Sequence, residues 1–357
     1  MRIAIVNDLL MAVEILRRVV LSGPGYELAW IARDGSEAVA RCSRDLPDLI
    51  LMDLIMPEMD GVEATRRIMR DTPCAILIVT ATVMGNADKV FDAMGAGALD
   101  VIATPVLGPQ GKIRGGKELL AKIARIARLI QKPSPAPPVE TGKDPAVPTG
   151  LLPPLVVIGA SAGGPRAVAG LLEALPENFG PAIVVIQHVD ADFGMKLVDW
   201  LRRQTSVQVR SAEEGTKPAA GVVLVAVNEH HLVLGPDLRL SYSPEPLDAV
   251  YRPSIDVFFD SAAAHWKAKG LAILLTGMGR DGARGLLHLR RAGWHTIAQD
   301  EKSSTVFGMP KAAIELGAAA EVLPLSKIPA AILKMNPLRL KDPPSRSTTK
   351  FSPRKPL

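Results

Sequence analysis

The stretch "LVVIGASAGGP", from Leu155 to Pro165, decides how the second half of the chain folds. A continuous apolar run stops at a glycine, a lone serine follows, and two more glycines and a proline come next. This pattern is typical of a buried parallel strand that turns sharply into a helix. Such a turn either cradles a phosphate at the helix N-terminus or holds a nucleophilic serine at the end of the strand.

The surrounding residues favour the nucleophile. A dinucleotide fingerprint needs Gly-x-Gly-x-x-Gly and an acidic residue about 20 positions on, but Ser161 replaces the middle glycine and Phe179 stands near that distance. The next strand, "AIVVIQHV", ends in Gln187 and His188 rather than in an acid. Because consecutive parallel strands usually lie side by side, we expect Ser161 and His188 at the same edge of the sheet.

A third glycine-rich loop, "LLTGMGRDGARG" at Leu274–Gly285, carries Asp281. A carboxylate there suits the orientation of an imidazole, and accessible backbone N–H groups suit an oxyanion. Taken alone, an aspartate at this position is more often a helix N-cap. The chain order of Ser161, His188 and Asp281 is not the Ser–Asp–His order of α/β-hydrolases, which argues against that fold.

Polar side chains also end the apolar strands of the first half, at Asn7, Asp8, Asp53, Thr80 and Thr104. Ligands of open parallel sheets bind at the carboxyl ends of the strands. Two carboxylates at one pole suit Mg²⁺, and an aspartate there could accept a phosphoryl group. The alternative is that each residue merely caps a strand or begins a loop.

Both halves alternate strands with helices, which predicts two α/β domains with parallel sheets. A linker at 131–152 is rich in proline and separates domains at 1–130 and 153–337, and a basic disordered tail follows at 338–357. The predicted strands are Arg2–Val6, Glu27–Ala32, Leu49–Met52, Ala75–Thr80, Asp100–Thr104, Leu155–Ile158, Ala182–Gln187, Gly221–Val227 and Leu271–Thr276.

The charge balance argues against a nucleic-acid partner. The net charge is +5, and the last twenty residues hold six basic residues and one acid, so the tail accounts for all of it. Two cysteines fit a reducing cytosol, and there is neither a signal-peptide pattern nor an apolar run long enough for membrane insertion. We therefore expect a cytoplasmic protein.

Residues 1–125 resemble the response-regulator receiver family, most strongly in "LMDLIMPEMDG" at Leu51–Gly61. The resemblance implies a flavodoxin-like five-stranded parallel sheet, phosphorylation at Asp53 by a histidine kinase, and a switch hydroxyl at Thr80. It also implies a Mg²⁺ site formed by Asp8, Asp53 and the backbone carbonyl of Ile55.

The motifs "IGASAGGP", "QHV", "TGMGRDGARG" and "AQDEKSSTVFGMPKAA", in this order, resemble the catalytic domain of the CheB family, the chemotaxis protein-glutamate methylesterases. That domain would be a doubly wound, mostly parallel α/β fold. The resemblance implies that Ser161 is the nucleophile, His188 the general base and then acid, Asp281 the orienting carboxylate, and Met278 a backbone oxyanion donor.

The same resemblance implies the biological role. The enzyme would hydrolyse glutamate methyl esters on methyl-accepting chemoreceptors and deamidate receptor glutamines, without a cofactor for catalysis. A histidine kinase of the CheA type would phosphorylate the receiver, which covers the cleft until then.

Several positions depart from the family pattern, among them Val101 in place of a frequent aromatic residue and the loop at Val225–Leu234 in place of a Pro-Gly-Gly turn. Asn7 replaces the first acid of the usual acidic pair, Thr104 replaces a lysine that contacts the phosphate, and Ala162 replaces a frequent threonine. Asn7 and Thr104 imply weaker metal binding and weaker coupling, and they resemble the Wsp-type branch, which is associated with surface sensing.

Two alternative functions stay open at this point. A response regulator with a binding output would need a DNA-binding or partner-binding domain, and a serine esterase could act on another ester. Outside the motifs, His230 and His231 are interpreted as an exposed turn and "YRPSID" (Tyr251–Asp256) as a structural segment with a role on the substrate side.

Overall fold

The computed structural model describes residues 1–81, 87–130, 152–268 and 270–335. The predicted linker, apart from Leu152, and the predicted tail lie outside the described residues. The boundaries proposed for them stay predictions.

The N-terminal domain is built on a five-stranded parallel sheet in the order β2-β1-β3-β4-β5. Helices α1 and α5 pack on one face and α2, α3 and α4 on the other. The helices are α1 (Leu10–Ser22), α2 (Gly35–Cys42), α3 (Gly61–Asp71), α4 (Ala87–Gly95) and α5 (Gly116–Ile130). The strands are β1 (Arg2–Val6), β2 (Glu27–Ala32), β3 (Leu49–Met52), β4 (Ala75–Thr80) and β5 (Asp100–Ala103), followed by the short antiparallel pair β6 (Val106–Leu107) and β7 (Ile113–Arg114).

The C-terminal domain is built on a seven-stranded parallel sheet in the order β10-β11-β9-β8-β14-β15-β16. Its strands are β8 (Leu155–Ala160), β9 (Ala182–Gln187), β10 (Gln208–Ser211), β11 (Val222–Val225), β14 (Gly270–Leu274), β15 (His295–Gln299) and β16 (Glu321–Leu323), and β12 (His231–Leu234) pairs with β13 (Leu240–Ser243) as a separate hairpin. The helices are α6 (Gly164–Glu173), α7 (Ala191–Gln204), α8 (Ile255–His265), α9 (Ala283–Arg291), α10 (Met309–Glu315) and α11 (Ile328–Leu333).

The predicted fold class is confirmed. Every residue of β8 and β9 is buried, as expected for strands of a parallel sheet that is covered on both faces. Five predicted strands have the predicted bounds, and β5 ends one residue early, at Ala103. The strand predicted at Gly221–Val227 is shorter, β8 extends two residues beyond the predicted Ile158, and β14 begins one residue earlier and ends two residues earlier than predicted. The strands β6, β7, β10, β12, β13, β15 and β16 were not predicted. Among the helices of the described residues, none is both long enough and apolar enough to cross a bilayer.

Candidate active site and phosphorylation pocket

Ser161 follows the central strand β8 and is fixed by both neighbouring strands. Ala160, the last residue of β8, pairs with Gln187 in β9. The Ser161 N–H donates to the Thr276 carbonyl, just after β14, at 3.0 Å, and the Gln187 side-chain amide donates to the Ser161 carbonyl at 2.9 Å. The backbone of the serine is therefore held from both sides.

The turn after Ser161 requires a glycine at position 163. Gly163 has a φ of +80° and precedes α6. A Cβ on it would lie 2.6 Å from the Thr305 Cβ and 2.8 Å from the Thr276 Oγ1, so no side chain fits. In the nucleophile-elbow pattern the serine itself sits on the strained turn. Here Ser161 has no positive φ, and Gly163 adopts the left-handed conformation instead.

His188 and Asp281 come from the two strands that flank β8. The His188 N–H donates to the Ala160 carbonyl at 3.0 Å, which places His188 beside Ser161. Asp281 lies in the loop after β14, and its Oδ2 is 2.7 Å from His188 Nε2. Ser161, His188 and Asp281 thus meet at one edge of the sheet, as the sequence predicts.

The Asp281 carboxylate lies against the N-terminus of α8. Its oxygens accept hydrogen bonds from the Ile255 N–H at 2.7 Å, the Asp256 N–H at 3.1 Å and the Ser254 hydroxyl at 2.8 Å. Burial by itself raises the pKa of Asp281, but the hydrogen bond from His188 and those from the N–H groups outweigh it, so the pKa is lowered. Asp281 is therefore ionised, and it does not cap its own helix α9, where Gly282 is the N-cap.

The ionised carboxylate fixes the tautomer of His188. A carboxylate only accepts hydrogen bonds, so the neutral imidazole carries its proton on Nε2. His188 Nδ1 is buried and has no hydrogen-bond partner. The lone pair that can accept a proton is therefore on Nδ1, and in this arrangement it is not yet bonded to Ser161.

Tyr251 packs directly on this pair. Its ring stacks on the His188 imidazole with the ring centroids 3.7 Å apart and the planes 12° from parallel. Its hydroxyl donates to the Met278 carbonyl at 3.3 Å and also interacts with the Ser161 side chain. The "YRPSID" segment, interpreted from the sequence as structural with a role on the substrate side, therefore contacts the candidate catalytic residues directly.

The loop that carries Met278, the predicted oxyanion donor, approaches Ser161 closely. A Cβ on Gly277 would lie 2.7 Å from the Ser161 Cβ and 2.4 Å from the Met309 Sδ. Only glycine allows this approach, which brings the backbone of residues 277 and 278 beside the serine.

The N-terminal domain has its own polar site around Asp53, at the end of β3. Asp53 is only 8% exposed, and its Oδ1 accepts the Leu54 N–H at 2.7 Å. The Thr80 hydroxyl also bonds to this carboxylate, and the Asn7 side-chain amide donates to Oδ2 at 2.9 Å. The predicted phosphoacceptor and switch residues are therefore in contact.

The charges in this pocket fit a divalent cation. Burial, with a smaller contribution from the nearby Asp8 carboxylate, raises the pKa of Asp53. A cation between Asp8 and Asp53 would offset both effects, and carboxylate oxygens are the ligands that Mg²⁺ prefers. Asn7 adds no charge, and its amide already occupies one Asp53 oxygen.

Thr104 lies one strand beyond Thr80. Its N–H donates to the Thr80 carbonyl at 3.1 Å, so it continues the pairing of β5 with β4. Its hydroxyl is buried without a hydrogen-bond partner. A threonine side chain is neutral and too short to reach a phosphoryl group on Asp53 as the ammonium of a lysine would.

Two family comparisons cover these two sites. Residues 156–332 match the family described as CheB methylesterase, and residues 3–110 match the response regulator receiver domain. A protein-glutamate methylesterase/protein-glutamine glutaminase from Mesorhizobium japonicum is 54% identical over 336 residues, which cover 94% of this chain and 98% of the relative. The chain belongs to the CheB methylesterase family.

Further relatives agree. The protein-glutamate methylesterase/protein-glutamine glutaminase 1 of Pseudomonas fluorescens is 49% identical over 343 residues, which cover 94% of this chain and 100% of the relative. The crystal structure of the CheB methylesterase catalytic domain of Thermotoga maritima has a TM-score of 0.50 and 36% identity, over 52% of this chain and 100% of that chain. The chain is thus a hydrolase with a receiver domain and a methylesterase domain, and its output is enzymatic.

The receiver domain covers the candidate active site. Ser161 is 2% exposed and His188 is 5% exposed. A cavity of about 20 Å³, which holds about one water molecule, lies beside His188 at the boundary between the two domains. Its lining residues are Leu99, Asp100, Arg125, Ile126 and Leu129 of the receiver and His188, Val189, Tyr251 and Arg252 of the methylesterase domain. A glutamate methyl ester cannot enter this arrangement.

Polar and aromatic contacts hold the receiver domain against the methylesterase domain around Ser161. The Met94 carbonyl at the end of α4 accepts the Gly163 N–H at 2.7 Å. Arg166 in α6 pairs with Asp92 in α4 at 2.7 Å, and the Phe91 and Trp200 rings lie 5.4 Å apart. The face formed by α4, β5 and α5 is therefore the covering face.

A buried ammonium links this face to the loop that follows His188. Lys122 in α5 is 6% exposed and is bonded to Asp100 of the receiver and, at 2.9 Å, to Asp190 of the methylesterase domain. Asp190 lies two residues after His188. Burial lowers the pKa of Lys122, but the two carboxylates more than compensate, so its pKa is raised and the ammonium stays charged.

The prediction of an exposed turn is wrong for His231. His231 is fully buried at the start of β12. Its Nδ1 accepts the Ser254 N–H at 3.0 Å and its Nε2 lies 3.2 Å from the Pro246 carbonyl, so the neutral ring donates from Nε2. Burial lowers its pKa. His231 thereby supports the segment that binds Asp281.

Asp256 is a second carboxyl beside Asp281 that sequence reasoning did not single out. Burial, together with the Asp281 charge, raises its pKa to about 7. It accepts the Gly285 N–H at 2.7 Å, which joins the start of α8 to α9.

Proposed function

We propose that Ser161, His188 and Asp281 form the catalytic triad of a methylesterase that acts on glutamate methyl esters of methyl-accepting chemoreceptors. The observation that carries the proposal is the His188–Asp281 contact beside Ser161. It leaves His188, at the end of β9 next to the central strand, with a buried Nδ1 that has no hydrogen-bond partner.

In the first step His188 Nδ1 takes the proton of the Ser161 hydroxyl while the serine oxygen attacks the γ-carbonyl carbon of the ester. Asp281 stabilises the imidazolium that forms. The negative charge that develops on the carbonyl oxygen would be bound by the backbone N–H of Met278, whose loop lies against Ser161. Before this step the Ser161 hydroxyl must exchange its contact with Tyr251 for one with His188.

The intermediate collapses when the methoxy oxygen leaves and takes the proton from His188, which gives methanol and an acyl-enzyme. Water then attacks the acyl carbon while His188 Nδ1 takes one of its protons. Return of that proton to Ser161 releases the glutamate carboxylic acid. With a glutamine side chain, the same steps release ammonia in place of methanol.

Phosphorylation of Asp53 would remove the cover. We propose that Asp8, Asp53 and the Ile55 carbonyl would hold Mg²⁺, which would supply positive charge to offset that of the incoming phosphoryl group. Thr80, already bonded to Asp53, would turn toward the phosphoryl group. A shift of β4 and β5 would then move the covering face. This would break the contacts of Met94 with Gly163 and of Lys122 with Asp190.

The proposal names two partners, a chemoreceptor as substrate and a histidine kinase of the CheA type as phosphodonor. It also keeps the cytoplasmic location predicted from the sequence. The assignment to the Wsp-type branch stays a prediction.

The proposal is tested by measuring methanol release from receptor membranes methylated on glutamate and, in parallel, from a small soluble methyl ester. We expect release from the receptor, an increase when a small-molecule phosphodonor is added, and no such increase with Asp53→Asn. Release from the small ester alone would favour the second candidate, a serine esterase with another substrate, and would overturn the receptor assignment.

A further inference from the structure

We propose that Tyr251 is a positioning residue that stabilises the protonated form of His188 during catalysis by presenting its ring face to the imidazolium. This inference rests on the proposed function, because it concerns the general base of that reaction. It assigns a role in the chemistry to a segment that lies outside the triad.

The geometry is that of a cation stacked on an aromatic face. A cation within about 6 Å of a ring centroid is attracted by the negative face of the π system. The His188 centroid lies at 3.7 Å from that of Tyr251, with the rings nearly parallel. His188 is neutral before serine attack and positive after it, so the attraction grows toward the transition state, where it accelerates the reaction.

The rest of the site keeps Tyr251 in this place and in this form. Burial, together with the Asp281 charge, raises the pKa of Tyr251, so the phenol stays neutral. Its hydroxyl is anchored to the Met278 carbonyl in the loop proposed to bind the oxyanion. Tyr251, His188 and Met278 all belong to the methylesterase domain, so removal of the receiver leaves the stack in place.

Other charged and titratable groups lie near Tyr251 and His188 and also influence the charge of the His188 imidazole. They are Asp281, Asp256, His231 and Arg252 of the methylesterase domain and Asp100 and Arg125 of the receiver. Arg125 opposes a positive imidazole in the covered state and moves away with the receiver. The contribution of Tyr251 is therefore measured in the phosphorylated chain.

Two substitutions separate the ring face from the hydroxyl. Tyr251→Phe keeps the aromatic face and removes the contacts to Met278 and Ser161, whereas Tyr251→Leu keeps apolar bulk and removes the face. The assay is methanol release by the full chain with saturating phosphodonor, as kcat and KM against pH. We expect Tyr251→Leu to lower kcat roughly 3- to 30-fold with little change in KM.

The acid limb of the pH profile gives the decisive readout. Without the ring face the imidazolium loses its stabilisation and deprotonates more readily, so the limb moves to lower pH by about 0.4 to 1.5 units. Tyr251→Phe keeps the limb of the wild type. Identical profiles for Tyr251→Phe and Tyr251→Leu, or a change in KM alone, would overturn the inference.

Two controls separate this result from other failures. Leu129→Ala removes a receiver side chain that lies near Gly279 and lines the same cavity as Tyr251. It should weaken the receiver contact and raise the unphosphorylated rate without moving the acid limb. A moved limb in Leu129→Ala would contradict the assignment of the shift to the ring face. Ser161→Ala tests the proposed function itself, because release of methanol by this variant at the wild-type rate would refute that function. If Ser161→Ala is inactive but Tyr251→Leu leaves the acid limb unmoved, only the role of Tyr251 is refuted.

Discussion

Replacing Asp190 with asparagine should raise the methylesterase rate of the unphosphorylated chain roughly 5- to 30-fold. Asp190 is the methylesterase-domain partner of the buried Lys122 ammonium. An asparagine would keep the shape of the side chain and remain a good N-cap for α7, where Asp190 now accepts the Asp192 N–H. The substitution therefore removes one charge across the interface and little else.

The magnitude follows from the burial of the pair. A hydrogen bond to a charged group contributes about 1.5–3 kcal/mol, and the 31% exposure of the Asp190 side chain reduces this by solvent screening to about 1–2 kcal/mol. A tenfold change in an equilibrium corresponds to about 1.36 kcal/mol. Only molecules in which the receiver has moved off the active site are active. While these open molecules are a small fraction of the total, the unphosphorylated rate rises by the same factor as their number.

The assay is methanol release from methylated receptor membranes, with and without phosphodonor. The phosphorylated rates of Asp190→Asn and wild type should agree, because the open active site is unchanged. Asp199→Asn is the matched control: Asp199 lies in α7, the helix that Asp190 caps, and pairs with Arg202 in that helix rather than with the receiver. An unphosphorylated Asp190→Asn chain with the wild-type rate, while phosphodonor still activates it, would refute the role of this ion pair.

Three further predictions follow from buried polar groups. Thr104→Lys should restore a cation to the phosphoryl pocket and raise activation at limiting phosphodonor about tenfold; unchanged activation would show that the missing lysine does not limit the switch. Asp256→Asn should remove part of the pH dependence of stability. The raised pKa of Asp256 makes the wild type lose stability as pH rises from about 4 to about 7. If the free energy of unfolding changes equally in the two proteins between pH 5 and pH 8, the reasoning is contradicted. His231→Leu leaves the Ser254 N–H unpaired and should lower the free energy of unfolding by about 1–3 kcal/mol, which chemical denaturation measures; an unchanged midpoint would rule out the supporting role of this imidazole.

The sequence predicted the elements that are continuous in the chain. β1, β3, β4 and β9 have the predicted bounds because buried parallel strands are uninterrupted apolar runs with clear ends. The partly buried edge strand β2 has its predicted bounds as well. The same reasoning predicted that Ser161, His188 and Asp281 lie close together. Each follows such an apolar run, and parallel strands end at the same edge of a sheet.

The parts that were missed depend on contacts between distant segments. Asp281 accepts hydrogen bonds from the start of α8, about 25 residues earlier, and nothing in either segment specifies the other. His231 follows polar residues that suggest a turn, yet it is buried because it bonds to Ser254 and Pro246. The cover over Ser161 was expected only from family resemblance, because a surface that docks on another domain has no periodic pattern.

The central claim, that Ser161 is a nucleophile blocked by the receiver of its own chain, is tested most directly by one comparison. Methanol release from methylated receptor membranes is measured for wild type and Ser161→Ala, each before and after phosphodonor is added. The account predicts a rise on phosphorylation in the wild type and a rate lower on the order of 10⁴- to 10⁶-fold in Ser161→Ala under both conditions. Release by phosphorylated Ser161→Ala at the wild-type rate would contradict it.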